Sequence, residues 1–217
     1  MHYKIFEPAE NYLLLEFGNK IEEKTNSYII ALAGCISHEA VIEVIPAYSS
    51  LLLEFDNRKI SSAKLAGYLK KLRPVVSKTI ERTIEVPVVY GGEYGPDIGH
   101  VAKVNGITEE EVINLHCSRE YRVYMLGFMP GFCYLGGMDP RIACERLEKP
   151  RLRIAKGSVG IAGSQTGIYP EESPGGWMLI GRTEFELYRP GKKDPFPVKA
   201  GDTVKFIRIF AEDVIYK

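Results

Sequence analysis

The sequence has no excess of either charge, since 28 lysine and arginine residues balance 28 aspartate and glutamate residues. A balanced chain produces no overall field toward nucleic acid or an anionic membrane, so we expect neither as a partner. The sequence also has no apolar run approaching the ~18 residues of a membrane span. Its first residues, MHYKIFEPAENY, carry glutamates where a signal peptide requires an apolar segment.

Cysteine is scarce, and its spacing excludes two classes of site. The four cysteines form no CxxC motif and no paired spacing, which argues against a zinc site and against a disulfide framework. We therefore predict no metal site and reduced thiols in a soluble, cytoplasmic protein. The P-loop, GxGxxG, GxSxG and HExxH motifs are absent as well, so no strong local signature of nucleotide binding or hydrolysis is present.

Hydrophobic periodicity divides the chain near Pro74. Before this proline, the pattern predicts the order ββαββα, which we interpret as a small α/β sandwich of ferredoxin-like type. After it, short strands alternate with Gly/Pro turns, as in a β-barrel with few helices. The predicted fold is therefore α+β, with an amino-terminal domain over residues 1–78 and a barrel domain over residues 79–217. Within the barrel, strands are predicted at residues 121–128, 151–154, 158–162, 177–188 and 203–209, and short helices at 97–105 and 108–117.

Two loops rich in glycine, proline and aromatic residues lie in the predicted barrel, at residues 127–137 and 166–183. Loops held by a rigid scaffold are where binding residues concentrate, so we predict that the two loops form the walls of one substrate cleft. The alternative is that both loops only close corners of the barrel. The substrate-binding candidates in, beside and between these loops are Pro130, Gly131, Phe132, Tyr134, Lys156, Gln165, Tyr169, Gly175, Gly176, Trp177, Arg182 and Thr183.

Positive charge is concentrated between the two loops, in the segment KPRLRIAKGS. Strand alternation places Arg151 and Arg153 on one face, which predicts a cationic surface, with Lys156 close by. A guanidinium on that face can hold a carboxylate in a bidentate manner, and Arg151 is our first candidate for this role. Arg182 is the reserve candidate. The alternative is an ordinary strand face directed to water.

His116 stands at the end of a predicted helix, just before the strand that leads into the first loop. A neutral imidazole there could orient a substrate or move a proton, so His116 is the second catalytic candidate after Arg151. The alternative is a histidine that caps the helix through the helix dipole. Cys117 follows directly, but adjacency in sequence does not place two side chains together, and neither Cys117 nor Cys133 is assigned a role.

Five ordered blocks carry a family resemblance: VPVVYGGEYGPDIGHVA, EEEVINLHCSREYRVYMLGFMPGFCYLGG, KPRLRIAKGSVGIAGSQTGIYP, SPGGWMLIGRTEFELY and AGDTVKF. They resemble the family of the 5-oxoprolinase B subunits. This family also includes the inhibitor of a sporulation histidine kinase and the first subunit of allophanate hydrolase and of urea carboxylase. The resemblance covers nearly the whole chain and implies a cyclophilin-like β-barrel after a small α/β domain. The chain departs from the family at Glu145, Ala155 and Lys156, where relatives commonly carry Pro, Pro and Ala.

The resemblance implies one component of an ATP-dependent hydrolase rather than a complete enzyme. Together with the C and A subunits of a 5-oxoprolinase, such a chain cleaves 5-oxo-L-proline to L-glutamate, and it is expected to be inactive alone. ATP would be bound by the assembled complex, with its site on this chain unknown. The alternatives are inhibition of a histidine kinase and a role as subunit 1 of an allophanate hydrolase or urea carboxylase. Prolyl isomerisation is a weaker option, because fold does not carry function.

Overall fold

The computed structural model describes residues 1–76 and 82–213. Contacts between Cα atoms divide the chain into two units, Met1–Glu81 and Arg82–Lys217. The domain boundary predicted after residue 78 falls on residues that lie outside the described ranges. Among the described residues, no helix combines the length and the hydropathy needed to cross a membrane.

The first unit is a four-stranded antiparallel sheet with two helices, in the order ββαββα. Its strands lie in the order β1-β2-β4-β3. Leucines at alternate positions of the central strands are fully buried, as are Ile29 and Leu65 of the two helices, so strand alternation and helical spacing meet in one core. The elements are β1 Lys4–Ala9, β2 Tyr12–Glu16, α1 Glu23–Cys35, β3 Val41–Pro46, β4 Ser50–Phe55 and α2 Ser62–Leu69.

The second unit is built on a closed barrel of seven strands, in the order β10-β7-β6-β13-β5-β12-β9. All neighbouring pairs are antiparallel except β13 and β5, which are parallel. A separate pair of strands, β8 and β11, forms a small second sheet. The strands are β5 Thr83–Tyr90, β6 Glu120–Leu126, β7 Cys133–Gly136, β8 Arg151–Ile154, β9 Ser158–Ala162, β10 Gln165–Ile168, β11 Ser173–Gly175, β12 Met178–Arg182 and β13 Thr203–Ile209.

Two helices lie between β5 and β6, as the sequence predicts: α3 Ile98–Asn105 and α4 Glu109–Cys117. The second begins with a capping box, in which the Thr108 hydroxyl accepts from the backbone N–H of Glu111 and the Glu111 carboxylate accepts from the backbone N–H of Thr108. This reciprocal capping satisfies amides that a helix otherwise leaves without partners. Helix α4 therefore has a fixed start, and its last turn carries His116 into the barrel core.

The sequence prediction was wrong for part of the first loop. Residues 133–136 form strand β7, with Cys133 and Leu135 fully buried in the barrel core. Gly136 allows this strand to approach its neighbour, because a Cβ at Gly136 would stand 2.5 Å from the Tyr124 ring. The strand predicted at residues 177–188 is also too long, since β12 ends at Arg182. Glycine content concealed a strand in the first case, because glycines here make room for close packing as well as for turns.

Candidate functional site

The two aromatic loops meet, as the sequence predicts, and their rings pack into one cluster. The Phe132 ring lies at the centre, with its centroid 4.9 Å from that of Tyr134, 5.3 Å from Tyr169 and 5.4 Å from Trp177. These pairs are edge-to-face, an arrangement that aligns ring edges with the negative faces of neighbours. We call Phe132, Tyr134, Tyr169 and Trp177 the aromatic cluster.

Small residues at fixed positions make this packing possible. A Cβ at Gly175 would stand 2.5 Å from the Tyr169 hydroxyl oxygen, and a Cβ at Gly167 would stand 3.0 Å from the Trp177 ring. In the first loop, Phe132 N–H donates to the Met129 carbonyl at 3.1 Å, with Pro130 and Gly131 between them. Gly131 has φ +83°, so a proline followed by a left-handed glycine makes this turn.

The packing of these rings bears on the prediction that the two loops form the walls of one substrate cleft. Phe132, Tyr169 and Trp177 are between 1% and 5% exposed, so their rings fill the space between the two loops. Gly176 contributes its carbonyl oxygen, which accepts from the backbone N–H of Leu147 at 2.8 Å. The rings are large and apolar, and burying them against each other removes more apolar surface from water than leaving a groove between them.

Arg151 is held by an ion pair. Its Nη2 atom donates to Oδ1 of Asp97 at 2.7 Å, and Oδ2 of Asp97 accepts from the backbone N–H of Leu179 at 2.7 Å. The Nη1 atom of Arg151 is buried and has no hydrogen-bond partner. The guanidinium charge is therefore compensated by Asp97, while one buried donor group has no partner. Asp97 was not among the residues predicted from the sequence, although an acidic residue just before a helix is a recognisable signal.

The other two basic residues predicted for the cationic surface at β8 are also paired with acidic side chains. Arg153 pairs with Glu172 at 2.6 Å and Lys156 with Glu171 at 2.8 Å, and these side chains are largely exposed. Exposed pairs of this kind are worth little and attract no further anion strongly. Leu152 on the same strand is 94% exposed. The acids come from the segment just before β11, which periodicity within β8 cannot reveal.

His116 is fully buried, and both ring nitrogens have partners. Nε2 lies 2.9 Å from Oγ1 of Thr166, and Nδ1 lies 2.7 Å from the Tyr90 hydroxyl oxygen. The ring also stacks on Phe206 with centroids 4.4 Å apart. Burial lowers the pKa of His116 from 6.5 to about 3, so the imidazole is neutral at pH 7. Sequence analysis missed both Tyr90 and Thr166, which lie on strands far from His116 in the chain.

The hydrogen bonds around His116 assign its tautomer. The hydroxyl of Thr166 donates its single proton to the Gly160 carbonyl oxygen at 2.9 Å, so it must accept from His116. Nε2 of His116 therefore carries the proton, and Nδ1 accepts from the Tyr90 hydroxyl. The Cys117 thiol, 3.5 Å from the Tyr90 oxygen, donates to it. Because this chain of bonds ends at a carbonyl, it has no further acceptor to which a proton could move.

The thiols near the barrel are held in their protonated form. Burial raises the pKa of Cys133 to about 12 and also raises the pKa values of Cys117 and Cys144. The thiolate is the nucleophilic form of cysteine, so none of these three groups is poised as a nucleophile at neutral pH.

Gln165 lies at the start of β10, opposite Ala162 of β9. Among the described residues, no group of three or more His, Cys, Asp or Glu side chains is arranged to hold a metal ion.

Arg182 and Thr183 line an open pocket of about 560 Å³, and none of its lining residues belongs to the aromatic cluster. The Nε atom of Arg182 is buried and has no hydrogen-bond partner. Thr183 is held in place because its backbone N–H donates to the Gly157 carbonyl at 2.9 Å. We call this the Arg182 pocket; it is lined by Pro87, Val89, Glu93, Tyr94, Arg182, Thr183, Glu184, Phe185, Ile209 and Asp213.

Known proteins are similar to this chain over nearly its whole length. A family model described as "Carboxyltransferase domain, subdomain C and D" matches residues 3–198. The B subunit of the 5-oxoprolinase of Bacillus subtilis is 42% identical, covering 98% of this chain and 95% of the relative. The protein of the same name from Escherichia coli O157:H7 is 49% identical over 77% of this chain and 78% of its own length.

More distant and longer proteins also match. The urea amidolyase of Lachancea kluyveri is 26% identical, and the chain covers 13% of it. The crystal structure of TTHA0988 in space group P212121 superimposes with a TM-score of 0.84 at 38% identity, covering 93% of this chain and 40% of that one. The chain thus spans less than half of that solved structure.

Proposed function

Because the chain belongs to the family of the 5-oxoprolinase B subunits, we propose that it is the B subunit of a 5-oxoprolinase. With the C and A subunits of that enzyme, it would cleave 5-oxo-L-proline to L-glutamate using ATP. The observation that carries this proposal is the match to the Bacillus subtilis protein, which extends over nearly the full length of both chains. The urea amidolyases are less similar, so an allophanate hydrolase or urea carboxylase role has less support.

The chemistry of the described residues supports a component that does not act alone. His116 is neutral and enclosed, and the thiols of Cys117 and Cys133 have raised pKa values. A hydrolase needs a nucleophile, a base and a group that orients the base, all within reach of the substrate. These side chains do not form such a set, so we infer that the C and A subunits supply the missing groups.

The residues of the Arg182 pocket do not fit ATP. Three carboxylates, from Glu93, Glu184 and Asp213, line the pocket with a single guanidinium, and a triphosphate would add further negative charge. We therefore infer that ATP is bound elsewhere in the assembled complex. The free cysteines fit a cytoplasmic location, which we propose as well.

The predicted site residues remain proposals with amended roles. We propose that the aromatic cluster is a rigid wall that holds the first loop, and that Arg151 can offer its unpartnered Nη1 to an anionic group. Gln165 stays a proposed orienting residue at the start of β10. His116 becomes a positioning residue that joins helix α4 to strands β5 and β10. We also propose that the two units are separate domains, ferredoxin-like and cyclophilin-like respectively.

Co-expression with the candidate C and A subunits tests the function directly. The complex should turn over 5-oxo-L-proline with ATP, and should act far more slowly on urea and allophanate. The chain alone should show no turnover. Robust turnover by the isolated chain would contradict the non-autonomous role. Inhibition of a histidine kinase, without turnover by the complex, would replace this proposal with the competing function.

A further inference from the structure

The Arg182 pocket contains a positively charged donor without a partner. The Nε atom of Arg182 is buried and makes no hydrogen bond. A buried donor without an acceptor lowers the free energy of unfolding, because its desolvation is not compensated. A guanidinium also keeps its charge at any physiological pH. Arg182 also lines the pocket, so an acceptor that enters can form a charge-assisted hydrogen bond with the guanidinium.

Arg182 differs from Arg151 in its charge compensation. Arg151 has Asp97 at 2.7 Å, so its charge is already balanced inside the protein. Across residues 1–76 and 82–213, no carboxylate lies within ion-pair distance of Arg182. The strand position explains this, because Arg182 is the last residue of β12 and faces Val89 of β5 and Ser158 of β9, which are uncharged. An incoming carboxylate thus competes with no internal partner at Arg182.

Acidic residues restrict which anion can enter. Glu93, Glu184 and Asp213 line the same pocket, so its side chains carry one positive and three negative charges. A polyanion would be repelled, whereas a ligand with a single carboxylate and an N–H donor would satisfy both kinds of group. One oxygen of Asp213 already accepts from the backbone N–H of Phe210 at 2.9 Å, so Glu93 and Glu184 have more acceptor capacity left for that donor.

The remaining walls suit a compact, partly apolar ligand. Tyr94 and Phe185 supply aromatic surface, and Val89 and Ile209 supply aliphatic surface. The Thr183 hydroxyl oxygen accepts from the backbone N–H of Phe185 at 3.0 Å, so its own hydrogen remains to be donated. Apolar walls with a few convergent polar groups are typical of small-molecule sites.

We propose that the Arg182 pocket binds a small carboxylate that also carries an N–H donor, with Arg182 as its anchor. 5-Oxo-L-proline and L-glutamate share this chemistry, so the inference rests on the proposed function and gives it a location on this chain. The carboxylate meets the Arg182 guanidinium, and the lactam N–H or the ammonium group meets Glu93 or Glu184. A pocket of about 560 Å³ holds either compound with space to spare.

A binding experiment on the full chain tests the pocket without requiring turnover. The buried Nε–H of Arg182 should give a side-chain signal in ¹H–¹⁵N correlation spectra, assigned by its loss in Arg182→Lys. We expect titration with 5-oxo-L-proline, with L-glutamate, or with both to shift this signal, and propionate, which lacks the N–H donor, to shift it much less. An equal shift with propionate, or no shift with any of the three compounds, would overturn the proposal.

Kinetics of the reconstituted complex separate this proposal from the proposed function. Arg182→Lys keeps the charge but loses the planar donor geometry, so KM for 5-oxo-L-proline should rise at least about tenfold. Arg58→Lys is the matched control, because Arg58 is 86% exposed, pairs with Asp56 and lies in the other unit; it should leave KM unchanged. Normal turnover with an unchanged KM in Arg182→Lys would reject the pocket and keep the function. Absence of turnover in the unmodified complex would reject the function, while the spectra still decide whether the pocket binds.

Discussion

The Nε2 atom of His116 lies 2.9 Å from Oγ1 of Thr166, and the Thr166 hydroxyl donates onward to the Gly160 carbonyl. These two bonds determine the protonation of the ring, because the threonine has only one proton to donate. The imidazole is therefore a fixed donor toward β10 and a fixed acceptor toward Tyr90 of β5. The hydrogen bonds of the two ring nitrogens join α4 to strands β5 and β10.

The buried His116 should make the protein less stable in mild acid. Its pKa is about 3 in the folded protein and 6.5 as a free side chain, so the unfolded chain binds a proton first as pH falls. Stability from this group is complete above pH 6.5 and is lost as pH falls toward about 3, by up to about 1.4 kcal/mol per pH unit. Denaturant unfolding of the chain and of His116→Gln between pH 4 and 7 measures this slope, which the variant should reduce. Nitrogen NMR of the ring should show a neutral Nε2–H form throughout; a titration near pH 6.5 would contradict it.

Gly157 should be far less tolerant of substitution than Gly191, although their φ angles are +79° and +80°. A Cβ at Gly157 collides with the Thr183 carbonyl oxygen, whereas a Cβ at Gly191 meets nothing within 4 Å. Gly191→Ala should therefore cost only the left-handed conformation, about 1–2 kcal/mol. Gly157→Ala should cost at least about 2 kcal/mol more through overpacking, and should displace Thr183 from the Arg182 pocket. Equal losses in the free energy of unfolding would show that the contact with Thr183 is unimportant.

Sequence patterns were sufficient where local rules decide the structure. The helices predicted at residues 97–105 and 108–117 and the strand predicted at residues 203–209 follow from periodicity and local hydrogen bonding, and all three are present. Strand β7 was missed because its one glycine, Gly136, serves close packing against the Tyr124 ring. Hydrophobic periodicity indicates which residues face the core. It does not indicate where a neighbouring strand needs a small residue in order to pack closely.

The candidate site was less predictable than the fold, because its contacts join distant parts of the chain. The aromatic cluster was anticipated from the composition of two loops, but its closed packing was not. Asp97 meets Arg151 across 54 residues, and Thr166 meets His116 across 50. A single sequence gives no sign that a charged or polar residue already has an internal partner. Arg151 ranked above Arg182 because it lies in the positively charged segment KPRLRIAKGS, and nothing in the sequence indicates its partner Asp97.

The ion pair of Asp97 with Arg151 should contribute measurably to stability. Asp97→Asn leaves a guanidinium, only 30% exposed, without its counterion, while an amide oxygen can still accept from Leu179. Since partial exposure reduces the penalty for an isolated charge, we expect a loss of about 1–3 kcal/mol in the free energy of unfolding. Glu172→Gln is the matched control, because the pair of Glu172 with Arg153 is exposed and should contribute at most a few tenths of a kcal/mol, on the order measured for surface pairs. A loss in Asp97→Asn no larger than that of the control would mean that solvent already screens Arg151.

The two units should separate under limited proteolysis, with the first cleavage near residues 74–82. Contacts between Cα atoms divide the chain at Glu81, and each unit has its own cluster of buried apolar residues, the first around Leu13 and Leu53, the second around Val86 and Val204. Segments that join compact units are preferred cleavage sites in proteins generally. Mass spectrometry of the earliest fragments locates the cut, and circular dichroism of residues 1–78 and 79–217 expressed separately tests whether each folds. A first cut inside the barrel strands, or two unfolded fragments, would mean that the units depend on each other for stability despite their separate cores.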